Sequence, residues 1–315
     1  MIEVNSLSRK YGQFTAVDGV TFSIPKGQII GLLGHNGAGK TTTLKMLTGY
    51  LEATAGDIKI AGMDIKDDVL KIQEKIGYLP ENSPLYPEMT VLQYLFYVAD
   101  MRKIKTEDQA AAVRDAVAAT QLKVKANDRI STLSKGYRQR VGVAQAIIHK
   151  PEILILDEPT NGLDPTQIQS MRNLIKDLSK TATVILSTHI MQEVEAVCDR
   201  VLIVLDGKLV VDSLLSELQN ANCITVLLKQ SMKDVKSVLG QLEGIKEINP
   251  ATSLKGLNQF VIEANADDPT IIANIAKTVV NNGWDLYSLH KEQRDLETVF
   301  KEVNRGVTGG GAAHV

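Results

Sequence analysis

Gly34-His35-Asn36-Gly37-Ala38-Gly39-Lys40-Thr41 carries the pattern of a glycine, four further residues, then Gly-Lys-Thr. A loop of this kind surrounds phosphates with backbone N–H groups, sets a lysine ammonium against the β- and γ-oxygens, and offers a hydroxyl to Mg2+. Its flanks agree. Gln28-Ile29-Ile30-Gly31-Leu32-Leu33 is a short apolar run that predicts a strand buried on both faces of a parallel sheet. Downstream, Thr42-Thr43-Leu44-Lys45-Met46-Leu47 puts Leu44 and Leu47 on one helical face. The loop therefore opens into a helix N-terminus, whose unpaired N–H groups and positive dipole end suit an anion. A glycine-rich turn that merely precedes Lys40 requires neither flank.

A second stretch supplies the chemistry that the loop lacks. Ile153-Leu154-Ile155-Leu156 is an unbroken aliphatic run ended by Asp157 and Glu158. A buried strand of this composition delivers its last side chain to the C-terminal edge of the sheet, where open α/β folds bind their ligands. We assign Asp157 to Mg2+ through a water, and Glu158 to polarising the water that attacks a γ-phosphate. The competing reading makes the pair a cap on the turn before Pro159.

Two more motifs follow the expected order: Leu133-Ser134-Lys135-Gly136-Tyr137 lies ahead of the Asp157 run, and Ser187-Thr188-His189 lies after it. With them the chain resembles an ATP-binding subunit of an ATP-binding-cassette (ABC) transporter over residues 1 to about 220. The resemblance implies a P-loop α/β cassette with an antiparallel β subdomain and a helical lobe, and ATP and Mg2+ as ligands. Gly34, His35, Asn36, Gly37, Ala38, Gly39, Lys40, Thr41 and Thr42 would hold the nucleotide, with Thr41 and Asp157 toward the metal. It implies a dimer, of two copies or of paired ABC subunits, in which Ser134 and Gly136 act in trans on the partner's phosphate loop. Gly162-Leu163-Asp164 matches the loop that links the two sites, and His189 matches the switch histidine that contacts the γ-phosphate. Tyr11, before the alternating segment Val20-Thr21-Phe22-Ser23-Ile24, matches an aromatic that stacks on adenine. An aromatic packed against a hairpin is the other reading of Tyr11.

This sequence departs from the common pattern in places. Lys135 replaces the usual second glycine of the signature, and Tyr137 replaces the usual glutamine. In Ile76-Gly77-Tyr78-Leu79-Pro80-Glu81-Asn82, Glu81 stands where most relatives have Gln, at a metal-contacting position. A carboxylate still ligates Mg2+, but it brings negative charge near the phosphates and gives up an amide donor. The combination resembles the branch that includes gliding-motility, nitrous-oxide-reductase maturation, and bacteriocin- or drug-export ATPases. That branch implies integral membrane permease subunits as partners and a peripheral location on the cytoplasmic face of the cell membrane. The contending class is an ABC ATPase acting on ribosomes or DNA; such relatives carry two cassettes or a long coiled-coil insertion, and this sequence has neither.

Composition is consistent with these expectations. The chain has 315 residues, 44% of them hydrophobic, and room for two domains. A formal net charge of −2 gives no overall attraction to nucleic acid, which is not expected as a partner. Cys198 and Cys223 are too few for a disulfide framework and lack metal-ligand spacing, which suits a reducing cytosol. No apolar run approaches the roughly 20 residues of a membrane span.

From about residue 85 to 149 the pattern turns helical. Val91-Leu92-Gln93-Tyr94-Leu95-Phe96-Tyr97-Val98 predicts an apolar helix, and Thr106-Glu107-Asp108-Gln109 has capping-box spacing before an Ala-rich one. Exposed Leu85 and Tyr86 would meet a coupling helix of the membrane subunit, unless Pro84 and Pro87 mark a bare turn. The Asp206-Gly207 hairpin and a helix from Leu214 to Gln219 close the cassette. Residues 221–303 then read strand–helix–strand–strand–helix–strand, the order of a ferredoxin-like domain, closed by a helix at Leu296–Phe300. Docking or support of a dimer is its expected role. Residues 304–315, with three consecutive glycines, read as a flexible tail.

Overall fold

A computed structural model describes residues 1–219, 223–254, 256–264, 269–291 and 296–301. The tail expected over 304–315 lies outside them. In chain order the first half comprises β1 (Ile2–Tyr11), β2 (Phe14–Ile24), β3 (Ile29–Leu33), α1 (Lys40–Leu47), β4 (Ala55–Ile60), β5 (Met63–Asp64), α2 (Ile65–Lys75) and β6 (Ile76–Leu79). Helices α3 (Val91–Met101), α4 (Thr106–Ala119) and α5 (Lys135–Ile147) follow, then β7 (Ile153–Asp157), α6 (Pro165–Ser179), β8 (Thr183–Thr188) and α7 (Met191–Val197). The hairpin β9 (Arg200–Leu205) and β10 (Lys208–Leu214) leads to α8 (Leu215–Gln219). One compact unit ends at Leu215 and a second begins at Ser216.

The first unit holds an antiparallel sheet of order β2-β1-β4-β5 and a six-stranded sheet of order β10-β9-β3-β8-β7-β6. The central strands of the latter are parallel, and every residue of β3, β7 and β8 is buried. Aliphatic side chains on both faces are what a covered parallel strand needs. Register fixes where these strands stop: Leu33 pairs with Thr188, and Asp157 pairs with Ser187. The Gly34–Lys40 loop, Asp157–Glu158 and Ser187–His189 thus leave three adjacent strands at one edge. One core cluster joins the face of this sheet bearing Ile153 and Ile155 to α1 and to the antiparallel sheet, through Leu44, Leu47, Val4 and Ile58.

Helices α3, α4 and α5 enclose a separate apolar cluster that includes Val91, Leu95, Val113, Val117 and Val141. Two expectations fail here. The capping box expected at Thr106–Gln109 does not form: Lys105 is the N-cap of α4 and no side chain caps it, while Gln109 donates to the Ile104 carbonyl at 3.0 Å. The reciprocal box forms instead at Thr90 and Gln93, ahead of α3. Leu85 is half-buried against the lobe's own core rather than exposed, whereas Tyr86 is exposed and meets Tyr94 and Tyr97 edge-on.

The second unit contains β11 (Cys223–Leu228), α9 (Met232–Leu239), β12 (Ile245–Leu254), β13 (Leu257–Ala264), α10 (Pro269–Asn281) and β14 (Ser288–Lys291). Its antiparallel sheet has the order β12-β13-β11-β14, and Val226, Leu228, Val235, Leu239, Phe260 and Ile275 form its core. Helix α9 starts three residues before its first buried valine, Val235, because Ser231 and Asp234 form a capping box. A last helical segment, 296–301, buries Leu296, Val299 and Phe300.

Candidate functional site

The phosphate loop is shaped by glycines that cannot be exchanged. Gly39 is the N-cap of α1 at φ 104°, and a Cβ there would sit 2.5 Å from the Ala16 carbonyl oxygen of β2. Gly34 lies so close to the Val204 carbonyl of β9 that a Cβ would collide with it. Backbone approach of this kind leaves the loop N–H groups free of side chains. The helix start carries no side-chain cap, so its first N–H groups remain available to an anion.

Lys40 is 5% exposed, and its Nζ donates to the Gly34 carbonyl at 2.7 Å and the His35 carbonyl at 3.2 Å. Its ammonium also lies 3.5 Å from Glu158 Oε1. Glu158 is buried and has φ 49°, in the left-handed region that a residue with a side chain adopts only under constraint. The constraint is visible: its N–H donates to the Ser187 carbonyl at 3.1 Å, and its Oε2 accepts from His189 Nδ1 at 2.9 Å. A carboxylate only accepts, so Nδ1 is the donor in this contact. Asp157 is fully buried and accepts from the Ser187 hydroxyl. Asp157 Oδ2 and Glu158 Oε1 are both buried without a hydrogen-bond partner.

A fully buried carboxylate oxygen without a partner needs a ligand. Asp157 Oδ2 is such an oxygen and fits Mg2+ or an ordered water, whereas Glu158 Oε1 has the Lys40 ammonium at 3.5 Å. Among the described residues no three acidic, histidine or cysteine side chains form a group that could hold a metal ion, so Mg2+ at Asp157 would take the rest of its shell from water, hydroxyl and phosphate oxygens.

The structure thus brings Lys40, Asp157, Glu158 and His189 together with the loop. The remaining candidates make other contacts. Ser134 is the exposed N-cap of α5, its Oγ accepting from the Tyr137 N–H at 3.4 Å. Buried Gly136 lies against the Gln167 carboxamide, while Asp164 caps α6 by accepting from the Gln167 N–H at 2.9 Å. Gln167, which the sequence reading passed over, is therefore the side chain that joins the signature to the Asp164 loop. Lys135 reaches over Gly162, whose φ of 70° leaves no Cβ in its way. Glu81 is exposed and lines a groove of about 410 Å3 with Ser83, Lys135 and Arg138. Tyr11 is 47% exposed at the β1–β2 hairpin, with the Arg9 guanidinium 4.8 Å over its ring. Arg9 was also missed; an i, i+2 pair on one face of a strand is the signal that could have found it.

Comparison with known proteins gives these groups a family. A model described as ABC transporter matches residues 17–161. The linearmycin resistance ATP-binding protein LnrL of Bacillus subtilis is 30% identical over 95% of this chain and 97% of its own length. The bacitracin transport ATP-binding protein BcrA of Enterococcus faecalis is 30% identical over 99% of this chain and 98% of its own. A solved structure described as the ATP-binding subunit of an ABC transporter superposes with a TM-score of 0.63 at 30% identity, over 70% of this chain and 92% of that one. The Gly34–Lys40 loop, Asp157–Glu158 and His189 leave neighbouring strands at one sheet edge, and the chain belongs to the ABC transporter family as an ATP-binding, ATP-hydrolysing subunit.

Proposed function

We propose that two copies of this subunit, or one copy and a paired ABC subunit, close on ATP, part after hydrolysis, and drive a separately encoded membrane permease of export type. The observation that carries this reading is the contact of buried Lys40 and Glu158 with each other and of Glu158 with His189, beside the unpartnered Asp157 oxygen. When bound, Mg2+ at Thr41 and Asp157, with Glu81 toward its shell, would neutralise charge on the transferred phosphoryl group. Lys40 turns from the loop carbonyls toward the β- and γ-oxygens. Glu158 accepts a proton from the attacking water and holds that water in line, while His189 contacts the γ-phosphate. Tyr11 stacks on adenine by its face away from Arg9. Ser134, Gly136 and Asp164 serve the partner's site.

Two features support the permease. Among the described residues no helix is long and apolar enough to cross a membrane, so translocation falls to another subunit. Exposed Tyr86, between groove-lining Leu85 and Pro87, meets exposed Tyr97, and an apolar coupling helix on the cytoplasmic face would seat there. The names of LnrL and BcrA, for linearmycin resistance and bacitracin transport, favour drug or peptide-antibiotic export. The second unit supports docking or dimerisation.

Glu158→Gln tests the chemistry. Turnover should fall by a factor on the order of 10²–10⁴, with Mg-ATP retained and a dimer trapped in analytical ultracentrifugation. Parental turnover in this variant would remove Glu158 from its assigned role.

A further inference from the structure

Glu193 is a carboxylate to which the proposed chemistry gives no task, although it lies four residues beyond His189. It occupies the first turn of α7 and is 2% exposed. Its Oε2 accepts from the Thr188 hydroxyl at 2.9 Å, and its Oε1 is buried without a partner. Burying a carboxylate that is only partly satisfied costs folding free energy. A leucine of similar volume would fill the same space at no such cost.

The hydrogen bonds around Thr188 supply a reason. Thr188 ends β8, and its Oγ1 accepts from the Ile190 N–H at 3.1 Å while donating to Glu193. The Glu193 N–H in turn donates to the Ile190 carbonyl at 3.2 Å. A carboxylate has no proton to give, so it forces the hydroxyl hydrogen toward itself and keeps the hydroxyl lone pairs on Ile190. The residues before and after His189 are thereby pinned to each other and to α7. His189 needs this from outside, because its ring is 39% exposed and the Glu158 contact is its described side-chain bond.

We propose that Glu193 is a positioning residue for His189, holding the switch turn through the Thr188 hydroxyl so that the imidazole meets Glu158. The inference rests on the reading of His189 as part of the ATP site. Glu193 acts through the turn, by its bond to the Thr188 hydroxyl.

Glu193→Leu and Thr188→Val remove the acceptor and the relay, and Glu193→Gln keeps an oxygen that Thr188 can still donate to. The expected result is a fall of about tenfold in kcat for the first two, with KM for ATP within about twofold, and recovery of most turnover in Glu193→Gln. The double variant should be no worse than the poorer single one. The His189 imidazole NMR signals of the nucleotide-free protein should shift in Glu193→Leu and Thr188→Val and stay parental in Glu193→Gln. Should Glu193→Leu fail to fold, Thr188→Val, which exchanges one hydroxyl for a methyl, carries the same test. Parental His189 signals in Thr188→Val, or single losses that multiply in the double variant, would overturn the clamp. Shifted signals with parental turnover would support the clamp and overturn the catalytic reading of His189.

Discussion

Helices α1 and α5 both begin where an irregular stretch gives way to regular turns, yet their first turns are built in opposite ways. At α1 the N-cap is a left-handed glycine, no side chain caps the N–H groups, and Lys40 is buried against Glu158. At α5 the N-cap is Ser134, whose own hydroxyl caps the helix, and Ser134 and Lys135 are exposed. At the α1 start a buried ammonium and a buried carboxylate face each other, whereas the α5 start packs Gly136 on Gln167 and sets Lys135 over Gly162. In the proposed dimer the two starts are the two halves of one composite site, the α5 start of one copy completing the α1 start of the other.

Variants that damage one helix start should differ in kind from those that damage the other. The largest binding effect is expected at α1. Lys40→Ala removes a charge-assisted contact worth about 1.5–3 kcal/mol, so Mg-ATP affinity measured by calorimetry should fall at least tenfold. Unchanged affinity would mean that the α1 site does not hold the phosphates.

A smaller effect is expected between the two helices, at Glu81. Glu81→Ala should lower apparent Mg2+ affinity in ATPase titrations on the order of tenfold, and Glu81→Gln, which keeps an oxygen, should recover most of it. Equal behaviour of the two variants would take Glu81 away from the metal.

The smallest effect concerns stability and should leave both sites alone. His149, just beyond the C-terminal end of α5, donates from Nε2 to the Ile76 carbonyl at 3.1 Å. Burial, with help from the nearby Arg102 charge and against that backbone bond, lowers its pKa to about 4 from an ordinary 6.5. The unfolded chain therefore takes up a proton between pH 6.5 and 4 that the folded chain refuses. Stability from this group is full above pH 6.5 and is lost as pH falls toward 4. His149→Gln keeps a donor without the titration, and should flatten denaturation midpoints over that window. An unaltered acid slope would contradict the assignment.

The sheet edge was legible because strands covered on both faces are written as unbroken aliphatic runs, and the first polar residue after each run marks its end. Asp157 follows that rule, whereas β8 runs on through buried Ser187 and Thr188 before His189 leaves it. What stayed hidden depends on which strands become neighbours: the Glu158–His189 contact joins residues 31 apart because β8 lies beside β7. The left-handed turn at Glu158 follows from that same contact rather than from local composition. Caps show the limit most plainly. Thr90-Val91-Leu92-Gln93 and Thr106-Glu107-Asp108-Gln109 share one spacing, but only the first forms the box. At the second, the Lys105 carbonyl already accepts from the Asp108 and Gln109 N–H groups. The helix has therefore begun one residue earlier, and Thr106 is inside it.

The central claim is that Ser134 of one copy completes the Lys40 site of another, and mixing defective subunits tests it most directly. Ser134→Arg and Lys40→Ala homodimers should each be inactive, since every composite site in them is damaged. A mixture forms heterodimers in which one site has both halves intact, so a fraction of the parental ATPase should return. No recovery in heterodimers confirmed by differential tagging would contradict a site shared between chains.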